Sequence, residues 1–499
     1  MIDIFAAICY NVIRSERKHL CFVKIRTVKI KEDVIPMLHS AAQDMTKGKE
    51  ASLIIRFALP LLMGNLLQQL YNVADTAIVG KQLGDNALAA VGATGSVTYL
   101  FYTLCLGLAT GAGIMIAQFF GAGLMQRMRA AVWNSAVVTA VFGILISLCS
   151  IWLTEPVLRM MHTDPDLMQM SVSYMRIACG GTAAVAGYNW INAVMRALGD
   201  SKTPLIFLAV ASVLNIGLDL LFVMVLHTGV EGAAIATVAS QCIAASACII
   251  FAFRRTPELH LTKEDFRLNR EMIVLSLRTG LPIALQSGLI AISMSALQRV
   301  TNSFGSKPVM AAYTASMRVE QLIQQPFFSL NAALATFAGQ NVGAGETARA
   351  ERGLKSGLRI SSMLGIIMAV VFWACGDVII RCFISGADAV SIGYFALRTT
   401  SLCYIPLGSI HVIRGFLNGA GDTGYAMMNG MAEVICRIGG AFVMTVMLGM
   451  DYRSIWYTTC VTWFVTGLVG WIRYCRGKWR SKALLPEEHR TALEYAPAD

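Results

Sequence analysis

Four oxygen-bearing side chains lie in surroundings too apolar to hold them idly: Asp75, Asn215, Asp219 and Thr237. Asp75 closes the stretch PLLMGNLLQQLYNVAD, residues 60–75, which is otherwise suited to a bilayer. If a helix spans residues 52–80, a rise of about 1.5 Å per residue places this carboxylate roughly 9 Å below the polar end. A carboxylate mid-helix in a membrane costs about 2.5–3.5 kcal/mol, so it is expected to face a bundle interior or a wet cavity and to carry function. The bland reading is a carboxylate near a helix end that reaches water. Asn215 and Asp219, in LNIGLDLLFV, are four apart and share one helix face. Asp219 stands eight residues before His227, about 12 Å in at helical rise. Thr237, eight residues after Gly229, reaches a similar depth from the next segment. Such a group offers hard oxygen ligands, which suit a proton or Na⁺ and not a soft metal. The same side chains could instead form a hydrogen-bonded plug that only ties helices together.

Gln68 and Tyr71 precede Asp75 by seven and four residues, on or near its helix face. They could line a substrate path or simply pack. Pro60 removes a helical hydrogen bond below the charge, so it is the expected hinge of the first helix.

The elements that must position these residues follow from composition. Of 499 residues, 56% are hydrophobic and 14% charged, with a mean hydropathy of +0.59, which marks a polytopic membrane chain. Forty-three glycines allow close helix approach. The net charge of +11 is spread over loops instead of one face or tail, which argues against nucleic acid. The 13 cysteines include no C-x-x-C pair, so neither a zinc site nor a disulfide framework is expected. No H-E-x-x-H, G-x-S-x-G or G-x-x-x-x-G-K-[ST] occurs, which argues against an enzyme.

Twelve apolar segments fall near 52–80, 87–117, 130–154, 168–196, 202–228, 230–255, 271–303, 309–338, 352–385, 388–416, 424–449 and 454–475. The expected fold is all-α, with two six-helix lobes at 52–255 and 271–475 joined by a polar linker at 256–270. Residues 1–51 and 476–499 are the expected terminal segments. Residues 1–44 read as an amphipathic tail on anionic lipid, or as sequence upstream of a transport unit opening at Met45. Loops after even-numbered segments are basic, with Arg127, Arg196, Arg254, Arg267, Arg349 and Arg414 among them. Loops after odd-numbered segments carry only Lys81, Arg159, Lys307, Arg381 and Arg453, so the even loops and both termini are expected to be cytoplasmic.

The lobes repeat at an offset of 222 residues, pairing Pro60 with Pro282, Gln118 and Gly121 with Gln340 and Gly343, and Gly199 and Asp200 with Gly421 and Asp422. Because each half has an even number of helices, the repeat is parallel, an arrangement typical of two lobes rocking around a central site. The offset fails at the intramembrane polar residues. It pairs Asp75 with Leu297, Asn215 with Arg437 and Asp219 with Ala441, so the carboxylate site belongs to the first lobe alone. The second lobe carries Arg299, Arg318, Glu320, Arg398, Glu433 and Arg437; Glu433 and Arg437, four apart, are expected to compensate each other.

Three stretches, LPLLMGNLLQQLYNVADTAIVGKQLG, ALGDSKTP and MRVEQLIQQPFFSLNAALATFAGQNVGAG, resemble the multidrug and toxic compound extrusion (MATE) transporters, over residues 52–475. The pattern is most similar to the branch holding archaeal members and the DNA-damage-inducible F proteins. The resemblance implies a V-shaped pair of lobes in the inner (cytoplasmic) membrane, acting as a monomer without cofactor, that exports small organic, often cationic, molecules against H⁺ or Na⁺. It also implies a coupling site at Asp75, Asn215, Asp219 and Thr237 and substrate contact at Gln68, Tyr71 and Asn192, although Asn192 falls close to the cytoplasmic end of its segment. The carboxylates that another bacterial branch places in the seventh and tenth helices are missing here, past Asp388 at the mouth of the tenth. A flippase for a lipid-linked saccharide is the alternative function.

Overall fold

The computed structural model describes residues 43–161 and 163–486. The expected segment at 1–44 and the distal tail at 487–499 therefore fall almost wholly outside the described residues. Among those described, every regular element is helical. The first lobe contains α1 (Glu50–Leu83), α2 (Asp85–Gly121), α3 (Met125–Met160), α4 (Pro165–Gly180), α5 (Thr182–Ala197), α6 (Lys202–Asp219) and α7 (Gly229–Arg255). The second contains α8 (Arg270–Ser303), α9 (Lys307–Gly343), α10 (Thr347–Arg381), α11 (Ala387–Ser401), α12 (Tyr404–Gly419), α13 (Gly424–Phe442) and α14 (Ser454–Cys475).

These helices make twelve passes. Nine described helical spans are long and apolar enough to cross a bilayer. The fourth and tenth passes are each broken into two shorter helices, at Gly181 and at residues 402–403, positions related by the 222-residue repeat. The eighth, α9, is continuous but more polar, since it carries Glu320, Gln321, Gln324 and Gln325. The repeat extends to local geometry: α6 and α13 each end in a π-turn, at Leu220–Val225 and Val443–Met447. Single π-turns of this kind recur at functional sites.

The two lobes meet most closely at the end of the bundle that bears the even-numbered loops. There the C-terminal turns of α2 and α9 cross backbone to backbone. A Cβ added at Gly121 would lie 2.0 Å from the carbonyl oxygen of Gln340, and one added at Gly343 would lie 2.1 Å from that of Gln118. Only glycine allows this approach. The glutamines themselves tie the lobes together: Gln340 Nε2 donates to the Ala197 carbonyl at 2.9 Å, and Gln118 Nε2 to the Gly419 carbonyl at 2.7 Å. All four residues obey the repeat.

Short terminal segments complete this seam in the same symmetric manner. The backbone N–H of Met45 donates to Gln340 Oε1 at 2.8 Å, and that of Leu484 to Gln118 Oε1 at 2.6 Å. Two residues earlier in each segment, the carbonyl oxygens of Gln43 and Lys482 abut Gly199 and Gly421, where a Cβ would meet them at 2.2 and 2.3 Å. Those glycines have φ of 87° and 91°, the left-handed region that favours glycine. One segment precedes the first helix and the other follows the last, yet they occupy equivalent positions. Met45 and Trp479 are both fully buried here, and Arg349 donates to the Gly48 carbonyl at 2.7 Å. The sequence suggests a transport unit opening at Met45; Gln43, two residues earlier, already docks in the seam.

Substituting Gly343 by Ala should force α2 and α9 apart, an overpacking cost of about 1–3 kcal/mol. Gly92→Ala in α2 is the control, since nothing lies within 4 Å of its added Cβ. Thermal unfolding of detergent-purified protein should fall for Gly343→Ala and not for Gly92→Ala. Equal midpoints would contradict the packed seam.

Candidate functional site

Three helices of the first lobe bring the polar cluster together. α1 supplies Tyr71 and Asp75, α6 supplies Asn215 and Asp219 immediately before its π-turn, and α7 supplies Thr237. Asp219 is fully buried and Asn215 is 1% exposed, while Asp75 and Thr237 are half-buried. The carboxyl groups of Asp75 and Asp219 lie within hydrogen-bonding reach of each other. Asp75 Oδ1, both carboxyl oxygens of Asp219 and Asn215 Oδ1 are buried without a hydrogen-bond partner among the described residues. Neither aspartate forms an ion pair with a described Lys, Arg or His.

Two carboxylates cannot face each other in a buried space as bare anions. Either a proton or a cation must stand between them. The neutral members of the cluster suit that occupant. Asn215 Nδ2 donates to Thr237 Oγ1 at 3.4 Å, and Thr237 donates its own hydroxyl to the Ala233 carbonyl at 3.1 Å, so its oxygen serves the cluster as an acceptor. Oxygen ligands of this number and hardness fit Na⁺ as well as a proton. Among the described residues no three His, Cys, Asp or Glu side chains form a metal cluster.

Tyr71 reaches Thr237 with its phenol, so it belongs to this cluster. Tyr174 of α4, which sequence reading overlooked, lies within electrostatic reach of both carboxylates. A signal for it existed, because the repeat pairs it with Ala396, the same loss of a polar partner seen for Asp75 and Asp219. In the second lobe Leu297, Ala396 and Ala441 are buried in one apolar cluster with Trp456, while Arg437, the counterpart of Asn215, is buried in an ion pair with Glu433. Gln68 is half-buried on α1, and α1 runs unbroken through Pro60. Asn192 is 6% exposed, with its Oδ1 unpartnered, and is not among the residues lining the cavity between the lobes.

That cavity has a volume of about 430 Å³ and takes its walls from both lobes, through α1, α2, α5, α8, α9 and α12. Arg196 and Arg414 line it. The sequence places both among the loop charges; Arg196 stands instead on the last turn of α5 and Arg414 within α12, about a turn before its end, both facing the space between the lobes. In the second lobe Glu433 accepts from Arg437 at 3.0 Å, the compensation anticipated from their spacing, and lies 3.8 Å from Arg414. Arg414 also donates to Asn429 Oδ1 at 2.5 Å.

Two lobes of six passes, with a donorless carboxylate pair in one and a shared cavity sealed at one end, define the architecture of a two-lobed membrane transporter. The MatE family model matches residues 60–221 and again residues 282–443, the same register as the internal repeat. The chain therefore belongs to the MatE family. It is similar to the probable multidrug resistance protein YpnP of Bacillus subtilis (strain 168), 28% identical over 452 residues that cover 90% of this chain and 100% of the relative. It is also similar to the probable multidrug resistance protein NorM of Thermotoga maritima, 23% identical, covering 87% and 94% of the two chains. Among solved structures, a MOP superfamily transporter from Pyrococcus furiosus superposes with a TM-score of 0.81 at 23% identity, covering 91% of this chain and 98% of the other.

If the carboxylate pair takes up a proton or Na⁺, either acidification or added Na⁺ should raise the unfolding temperature of the native protein, since a ligand bound only to the folded state stabilises it. The Asp75→Asn/Asp219→Asn variant should respond to neither, and a native protein insensitive to both would contradict the site.

Glu433→Gln should act differently. It leaves two buried guanidinium groups without their shared carboxylate, a loss of about 3–5 kcal/mol, read as a lower denaturation midpoint with the response to Na⁺ or acid retained.

Proposed function

We propose that this MatE-family chain is a secondary antiporter that exports small organic molecules in exchange for H⁺ or Na⁺. It is proposed to work as a monomer in the inner (cytoplasmic) membrane, surrounded by lipid, without a cofactor and without enzymatic activity. The end bearing the even-numbered loops, where the lobes are sealed, is assigned to the cytoplasm on the strength of its basic residues.

The observation that carries this reading is the pair of donorless carboxylates confined to one lobe. Entry of a proton or Na⁺ from the open side neutralises Asp75 and removes the repulsion that separates α1 from α6. Pro60, which lacks the N–H that would bond the Arg56 carbonyl, gives α1 a place to bend in response. Tyr71 and Gln68, one and two turns from Asp75, carry that bend to the lobe interior, so ion loading and substrate release are two outcomes of one helix movement. Return to the other side requires parting of the α2–α9 seam.

The direct test is efflux from proteoliposomes under separately imposed proton and sodium gradients. At least one gradient should drive efflux by the native protein, and Asp75→Asn, fixed in the neutral form, should fall to background at equal protein abundance. Wild-type rates in Asp75→Asn would overturn the coupling role.

Topology gives a second check. Single cysteines placed at residues 256–270 of a cysteine-free variant should resist impermeant thiol reagents in intact cells and react after lysis; labelling without lysis would reverse the assigned orientation.

A further inference from the structure

The cavity between the lobes has a polarity that composition alone does not reveal. Arg196, Arg414 and His411 line it, and no Asp or Glu is among its described lining residues. The charges around it do not balance. In the second lobe Arg414 and Arg437 share Glu433, and Glu320 lies close enough to Arg437 to act on it electrostatically. Arg196 has no such partner: it makes no hydrogen bond or ion pair with any described residue, although it stands on the last turn of a buried helix. A guanidinium held away from bulk water and left unpaired is costly, and arginine is the side chain best shaped to take a carboxylate or phosphate by two parallel hydrogen bonds.

The repeat supplies an independent observation. It pairs Arg196 with Asn418 and Arg414 with Asn192, so each lobe places one arginine and one asparagine on its broken helix, in exchanged order. Asn418 lines the cavity, is 4% exposed and has a buried, unpartnered Oδ1; Arg414 is 8% exposed, and its Nε is likewise buried and unpartnered. Around these groups the walls mix apolar side chains, Leu61, Ile283 and Phe328 among them, with amides and hydroxyls such as Asn65, Gln286 and Thr336. A chamber of mixed polar and apolar walls, with two guanidinium groups and no acid in its described lining, suits an organic molecule with a negative head.

We propose that the interlobe cavity binds an organic anion, an apolar or aromatic body carrying a carboxylate or phosphate that docks on Arg196. This rests on the transport reading above and names an anionic class of cargo for the cavity. The anion can be a soluble compound or the headgroup of a lipid, which present the same chemistry to the guanidinium. Its negative charge also gives the exchange a physical logic: the cation site in the first lobe and the anion site between the lobes are separate and need not compete for the same groups.

The experiment is equilibrium binding without any ion gradient, by fluorescence anisotropy, on full-length protein in nanodiscs of zwitterionic lipid. The probes are carboxyfluorescein and rhodamine 123, which share a ring frame and differ in charge. Carboxyfluorescein should bind more tightly, Arg196→Asn should weaken it about tenfold or more, and adding Asn418→Arg, which moves the charge across the repeat, should restore it. Arg196→Lys, which keeps the charge but loses the two-pronged fork, should bind with an affinity between those of the native protein and Arg196→Asn. Repeating the titration in nanodiscs containing phosphatidylglycerol separates the sources: displacement of carboxyfluorescein assigns the anion to lipid headgroups, and undiminished binding assigns it to soluble compounds. Equal or tighter binding of rhodamine 123 by the native protein, or unchanged carboxyfluorescein binding in Arg196→Asn, overturns the proposal. Because no gradient is applied, either failure would leave the coupling role of Asp75 standing.

Discussion

The proposed exchange depends on two carboxyl groups that cannot both be bare. Asp75 on α1 and Asp219 on α6 face each other with three of their oxygens buried and no donor supplied. A well-satisfied polar network would lock these helices together. An unsatisfied one leaves their spacing to whatever occupies the gap, so the occupant sets the packing of α1 against the rest of its lobe. The second lobe has no such pair: Leu297 and Ala441 stand where the two aspartates do, and Arg437, at the position of Asn215, is compensated by Glu433.

The seam at the other end of the cavity is built on the opposite principle. Gly121 and Gly343 bring backbone against backbone, and Gln118 and Gln340 each spend both ends of the side-chain amide, one on the opposite lobe and one on a terminal segment. Few side-chain contacts are needed where the helices themselves touch. Such a contact is close to all-or-none, which suits a seam that must be either closed or parted, because packed interfaces tend to be bistable instead of continuously deformable.

Much of this was legible in the sequence, for physical reasons that also explain the exceptions. The passes showed because lipid tolerates only long apolar helices, and the repeat showed because loop residues such as Gly199–Asp200 and Gly421–Asp422 have tight turns to make. Asp75 and Asp219 stood out because a charge in an apolar run is expensive. The breaks in the fourth and tenth passes were hidden, since Cys403 gives no local warning and each broken helix keeps its apolar face. Arg196 and Arg414 were misplaced by the rule that located the loops: a basic residue near a helix end reads as a loop charge unless something else gives its direction. The terminal segments at 43–45 and 482–484 were invisible because they dock through backbone groups, which sequence does not distinguish.

Infrared difference spectroscopy on the reconstituted protein tests most directly the proposal that the first lobe holds the exchangeable proton or cation. On acidification, a protonated-carboxyl band should appear that both Asp75→Asn and Asp219→Asn remove and Glu433→Gln keeps. A spectrum in which that band survives both aspartate substitutions, or is lost only with Glu433, would contradict it.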